Sequence, residues 1–307
     1  MLEAERLRDL TLERPPSPGR AAHLSAASGV VRVGDYLYVV GDDEVHLAVF
    51  PASGSEPGRL VRIFPERMPA DEGERAGAKP DFEAITDLPP FDGHPHGGLL
   101  GLGSGSGFWG RDRGFFWSLD AHGSLRGDAV EIDLAPVYTL LRDHVIELNV
   151  EGAAVMGDRL WLLQRGNSDL GRNIVAELSL EEVLDSIVGD HAVDADELIN
   201  VRAYDLGELE GVELAFSDAS PLAGDGLVFT ASAEGTPESF EEDEVQGSAV
   251  GTIDGEGNLG AIEPVSGTYK IEGVEAEPSE DGIDLLFVCD ADDPEEPSPL
   301  LAARLPR

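Results

Sequence analysis

Lysine is almost absent from this chain of 307 residues. Of its 21 basic residues only Lys79 and Lys270 are lysines, set against 61 acidic residues for a formal charge of −40. So large an acid excess excludes nucleic acid and an anionic membrane as partners, because either would be repelled across the whole surface. It matches the composition of proteins that work in molar salt, where screening relieves self-repulsion, and a halophilic host is the expectation. Cysteine is nearly missing too. Cys289 stands alone, so no internal disulfide forms, and its place after Leu285-Leu286-Phe287-Val288 marks a small core residue rather than a nucleophile. No run approaches the ~20 apolar residues of a membrane helix. Met1-Leu2-Glu3-Ala4-Glu5-Arg6-Leu7 has no apolar signal core, and a soluble cytoplasmic protein is expected. There is no Gly-x-Ser-x-Gly, no P-loop lysine and no Cys/His spacing suited to zinc, so those chemistries lack their residues.

What the chain does contain is a repeated unit. From Asn149 through Glu151-Gly152, a Gly157-Asp158 turn, Leu160-Trp161-Leu162-Leu163 and Arg165, it reads as a strand opening on an acid, a tight turn, a second apolar strand and a polar loop. Ser28 to Asp43 repeats it, as does Asp218 to Ala231. Seven residues separate Ser28 from Asp35, Glu151 from Asp158 and Asp218 from Asp225. Looser copies begin at Glu83 and Glu272. The five copies begin at 28, 83, 151, 218 and 272, spaced 55, 68, 67 and 54 residues apart, and a period of this length built from short strands is that of a β-propeller. The expected fold is all-β, a single five-bladed β-propeller domain over residues 1–307 with short peripheral helices. The last blade offers only three strands, so the alternating Asp9-Leu10-Thr11-Leu12-Glu13 is placed to complete it and close the ring. Helices are predicted at Pro136–Asp143 and from the capping box Ser179/Glu182 to Gly189, whereas Met68–Pro80 reads as an acidic connector.

In a propeller the first strand of each blade lines the central channel, and the loop between second and third strands opens at the end where that first strand begins. Five inner strands then bring Ser28, Glu83, Glu151, Asp218 and Glu272 to one mouth. Glu210-Gly211-Val212-Glu213 competes with Asp218 for blade four; the seven-residue step favours Asp218. Converging carboxylates repel or take up protons unless a cation neutralises them, and hard oxygen donors suit Ca²⁺. The alternative is a hydrated acidic funnel with no ion. Loops on the same face carry Asp42, Asp43, Arg111, Arg113, Arg165, Asn167, Asp290 and Asp292, a set suited to a small anionic ligand. The opposing reading of the arginines is ion pairing with neighbouring acids. His94 and His96 fall at the opposite face and are left outside the site.

Several of these segments resemble the calcium-activated nucleotidases, the apyrases with a five-bladed propeller and an axial calcium. Tyr36-Leu37-Tyr38-Val39-Val40-Gly41-Asp42-Asp43 is similar to that family's first-blade motif, Lys270-Ile271-Glu272-Gly273-Val274-Glu275 to its last inner strand, and Arg165 falls where it carries a phosphate-binding arginine. The chain also resembles uncharacterised bacterial propellers with Asn-x-Glu-Gly, Gln-Arg-Gly-Asn and Asp-Ala-Asp-Asp at these places, which imply a fold and no activity. The resemblance implies a Ca²⁺ protein that hydrolyses a phosphate ester or anhydride, and the chain is expected to be a monomer. Asp42 or Asp43 would orient water and Arg165 offset developing charge. A non-catalytic ligand-binding or scaffold propeller and a metal-dependent esterase or lactonase are the other readings.

Overall fold

The computed structural model describes residues 1–69, 71–107, 110–166, 171–222, 226–235 and 245–306. Five antiparallel four-stranded sheets form the blades of a propeller. Strand β1 (Glu5–Asp9) belongs to the last of them. Blade one is β2 (Ala27–Val33), β3 (Tyr36–Gly41), β4 (His46–Pro51) and β5 (Arg59–Arg62), followed by helix α1 (Glu72–Ala78). Blade two is β6 (Phe82–Leu88), β7 (Gly98–Gly103), β8 (Arg113–Ser118) and β9 (Val130–Asp133), followed by α2 (Ala135–Arg142). Blade three is β10 (Val150–Met156), β11 (Arg159–Gln164) and β12 (Asn173–Ser179), then α3 (Leu180–Gly189), then β13 (Asn200–Tyr204). A small hairpin, β14 (Glu208–Leu209) and β15 (Val212–Glu213), precedes blade four, which is β16 (Ala215–Leu222), β17 (Gly226–Glu234), β18 (Val245–Asp254) and β19 (Leu259–Pro264). Blade five is β20 (Lys270–Ser279), β21 (Gly282–Asp290) and β22 (Pro299–Pro306), completed by β1 pairing antiparallel to β22.

Closure uses Glu5–Asp9 rather than the expected Asp9–Glu13. Leu10 and Leu12 are instead buried in the cluster between blades five and one, where single bridges carry Thr11 and Leu12. Alternation finds an extended segment but does not say which part pairs with a sheet edge. The apolar residues form five clusters, each shared by two neighbouring blades. Trp161, for example, packs with Phe216 and Phe229 of the next blade. Each sheet therefore buries both faces and needs its neighbours, the physical basis of a closed ring.

The helices sit where local chemistry starts them. Ser179 accepts a hydrogen bond from Glu182 N at the start of α3, and Pro136 occupies the first turn of α2. Helix α1 replaces the expected connector: Asp71 accepts from Glu74 N, and Arg75, 2 % exposed, drives into Asp43 and Glu44. A glycine-bearing segment becomes helical because one buried cation anchors it.

The inner strands β2, β6, β10, β16 and β20 contact one another in ring order. Their approach is close. A Cβ on Gly152 would lie 3.0 Å from Ala219 N and 3.1 Å from the Asp218 carbonyl carbon. Gly152→Val is therefore expected to lower stability by about 1–3 kcal/mol through overpacking. An unchanged urea midpoint would show that the strands can part.

Candidate functional site

Each inner strand carries one unpaired extra residue near its start. The ladders skip Ser28, Glu83, Glu151, Ser217 and Glu272. A bulge of this kind turns a side chain out of the sheet's regular alternation, here at corresponding places around the ring. In blade four this residue is Ser217, not Asp218. Three residues separate the paired Leu222 and Gly226, against two between Met156 and Arg159, so counting back from Asp225, itself outside the described residues, lands one position late. Asp218 instead corresponds to Gly152 and faces the next inner strand, where its Oδ2 accepts from Val274 N at 2.8 Å. Ser217 donates to Ile271 O at 2.7 Å. The rival Glu210 is exposed in the β14–β15 turn with φ of 51°, far from an inner strand.

Glu83, Glu151 and Glu272 converge, and the structure fills much of the space between them with side-chain cations. Arg165 Nη1 lies 3.6 Å from Glu151 and 3.6 Å from Glu272, and its Nη2 pairs with Glu234 at the end of β17. Lys270 reaches Glu272 at 3.6 Å and both Asp290 and Asp292 at 3.1 Å. Lys79, at the C-cap of α1, pairs with Asp42 and with Asp81 at 2.8 Å. Arg111 binds Asp81 at 2.9 Å. Both lysines of the chain are thus at the mouth.

Asp81 organises the blade-two side. Its φ of 59° is uncommon for a residue other than glycine. Its N–H donates to Asp42 O at 3.1 Å and its C=O accepts from Ser104 N at 2.9 Å, while Ser104 Oγ donates to its carboxylate. One oxygen each from Asp42, Asp81 and Glu83 fall within 4.8 Å of one another. Among the described residues Glu83 has no ion pair. Burial raises its carboxyl well above the usual range, and Glu151, Asp81, Asp42 and Glu272 push in the same direction. Burial likewise brings Glu151 to about 8 against Arg165, Glu272 to about 7 against Lys270 and Arg165, and Asp42 to about 6 against Lys79. Burial also acts to raise Glu234, but Arg165 and Lys270 bring it below its ordinary value.

These residues fit a hard divalent cation. Among the described residues Asp42 Oδ1 is a buried acceptor without a hydrogen-bond partner, and the donor set is all oxygen. The fit lies toward Asp42, Asp81 and Glu83, since Arg165 occupies the region between Glu151 and Glu272.

Other candidates separate. Asp43 turns away into Arg20 and Arg75, both at 2.9 Å, so Asp42 alone of that pair joins the cluster. Arg113 lies on blade two's outer strands, bound to Glu131 and Glu66 over the Phe64 ring. Arg113 opens β8 and pairs with Asp133 of the outermost strand β9, beside Glu131 of that strand. Arg165, 9 % exposed, is taken up by glutamates. Asn167 lies outside the described residues. Ser28 keeps its bulge position beside its own strand, 3.4 Å from Ala26 O. His94 packs on Phe91 and Phe116 and meets Ser118 Oγ at 2.8 Å, a structural role. Lys79, Asp81 and Glu234 carry no repeat signature. Their only trace in sequence is the rarity of lysine and the spacing Lys79-x-Asp81-x-Glu83, which puts three charged residues at alternate positions entering an inner strand.

No helix among the described residues is long and apolar enough to cross a membrane. Solved structures with similar folds include a luciferin-regenerating enzyme at 10% identity, covering 99% of this chain and 96% of that one with a TM-score of 0.43. An α-L-arabinofuranosidase of Podospora anserina in complex with cellotriose is also 10% identical, over 99% and 97%, with a TM-score of 0.49. The tail fiber of Staphylococcus aureus phage P68 is 13% identical over 99% of this chain and 53% of its own, with a TM-score of 0.46. A search of curated proteins finds no match. Residues 23–305 match DUF6929, described as a family of unknown function, and the chain belongs to that family.

Proposed function

We propose that the mouth of the channel is a ligand site built on a divalent cation, with Ca²⁺ as the expected ion, held by Asp42, Asp81 and Glu83. The observation that carries this reading is the cluster of three carboxylates in which, among the described residues, Glu83 has no ion pair and a buried oxygen of Asp42 has no donor. Bound there, the ion would supply Lewis acidity toward an oxygen of a small anionic ligand. Glu83 and Asp42 hold that charge, and Asp81 is fixed by Ser104 and Arg111. Hydrolysis of a phosphate ester or anhydride is the reaction this set would support. A soluble cytoplasmic setting accords with the composition.

A second reading is a non-catalytic propeller whose mouth only ties blades together. Arg165 favours it, since one guanidinium from blade three binds Glu234 of blade four and Glu272 of blade five. Calorimetry and thermal unfolding with Ca²⁺ test the ion: saturating Ca²⁺ is expected to raise the unfolding temperature of the wild type and not of Glu83→Gln. Equal response, or none, removes the site. Turnover of phosphate esters and nucleotides with Ca²⁺ then separates the readings, and an inert ion-loaded protein leaves the second.

A further inference from the structure

Resting on the cation site just described, we infer that Lys79 is the group that receives the anionic ligand, and that it does so by leaving Asp42 and Asp81 when a divalent cation occupies them. Four cations face the mouth, but only Lys79 has both of its partners inside the carboxylate cluster. Arg165 is bound to Glu151, Glu234 and Glu272, and Lys270 to Glu272, Asp290 and Asp292, all outside the cluster of Asp42, Asp81 and Glu83. Arg111 shares Asp81, but it also reaches Ser106 and the Ala76 carbonyl, and so keeps partners.

Charge balance leads to the exchange. Without a divalent ion the Lys79 ammonium is the cation that makes Asp42 tolerable in a half-buried place. With a divalent ion on the same oxygens, the ammonium faces a like charge and loses its reason to stay. Its backbone is held: as the C-cap of α1 it is extended at φ −64° and ψ 139°, its N–H bonded to Arg75 O, with Pro80 next. Only the side chain is free to move, four methylenes on a fixed stem, and it is 20% exposed, so it need not break the core to turn outward. An oxyanion with several oxygens, as in a phosphate monoester, would then touch the ion with one and Lys79 with another. In a chain of 61 acidic residues and two lysines, a lysine placed here is not part of a general surface coat.

The test uses the full chain, Ca²⁺ and phenylphosphonate, a probe that is not hydrolysed. In the wild type, saturating Ca²⁺ is expected to tighten phenylphosphonate binding at least tenfold by calorimetry. Lys79→Met is expected to bind Ca²⁺ at least as tightly as the wild type and to lose that tenfold coupling, whereas Lys270→Met keeps it. A Lys79→Met protein that retains the coupling, or binds Ca²⁺ more weakly, overturns the inference. Because that variant can lose stability, a second measurement uses wild-type protein. Reductive methylation with ¹³C-formaldehyde labels two lysines and the terminal amine, and Ca²⁺ is expected to move the Lys79 resonance while leaving Lys270 in place. An unmoved Lys79 resonance in protein that binds Ca²⁺ sinks this exchange alone; failure to bind Ca²⁺ at all sinks the underlying site.

Discussion

Arg165→Met is expected to cost about 3–5 kcal/mol of stability at pH 8.5, the scale for removing one partner of a buried charge pair. The guanidinium is 9 % exposed and is shared by Glu151, Glu234 and Glu272, so its loss leaves Glu151 and Glu234 without an ion pair among the described residues and Glu272 with Lys270 alone. The cost should depend on pH with a definite sign. Glu151 and Glu272, raised to about 8 and about 7, hold protons in the folded state below those values and need no counter-charge there. Their favourable contribution is complete below the unfolded carboxyl range and is lost as pH rises through about 7–8, where Arg165 becomes indispensable. Glu234 runs the other way. Its lowered value means that its pairing with Arg165 is kept at neutral pH and lost only on acidification. Urea unfolding of wild type and variant at pH 6 and pH 8.5 should therefore show the larger difference at pH 8.5. A larger difference at pH 6, or a loss under about 1 kcal/mol at both, would show that the glutamates are neutralised by something other than Arg165.

Asp218 should separate charge from hydrogen bonding. It is fully buried, its Oδ2 accepts from Val274 N, and its Oδ1 has no partner. Burial raises its carboxyl well above the usual value, against the pull of the Val274 and Ala219 amides. For a raised acid the folded state favours the neutral form, and stability falls as pH rises toward the folded value. Asp218→Asn keeps an acceptor for Val274 and cannot ionise, so it should be at least as stable as wild type at pH 8 with a flatter pH profile. Asp218→Leu strands a buried N–H and should cost about 1–3 kcal/mol at every pH. If Asn proves as damaging as Leu, the carboxylate itself is needed, and Asp218 would return to the set of charged ring residues.

The blade count was legible because a blade is local: a strand, a turn and a second strand within some fifteen residues leave their period in the chain wherever they occur. The bulge acids Glu83, Glu151 and Glu272 were legible for the same reason, each opening an apolar strand just before Gly or Ala. In blade four that logic slipped by one residue, since the hairpin connection there is longer and Asp218 mimics the acid of the other copies. Asp43 and Arg113 stand near their expected elements, yet their side chains leave for Arg75 and Glu131, partners 32 and 18 residues away that no motif announces.

From sequence alone came the five repeats, the end of the channel where acids gather and the scarcity of lysine, because strand alternation, turn residues and composition are written in neighbouring positions. Which charges meet was decided by the closed ring. Arg165 finds Glu234 across 69 residues, and Lys79 finds Asp42 across 37, only because blades packed face to face bring their loops together. A Coulomb interaction depends on distance in space and on burial, and neither is a property of position along the chain.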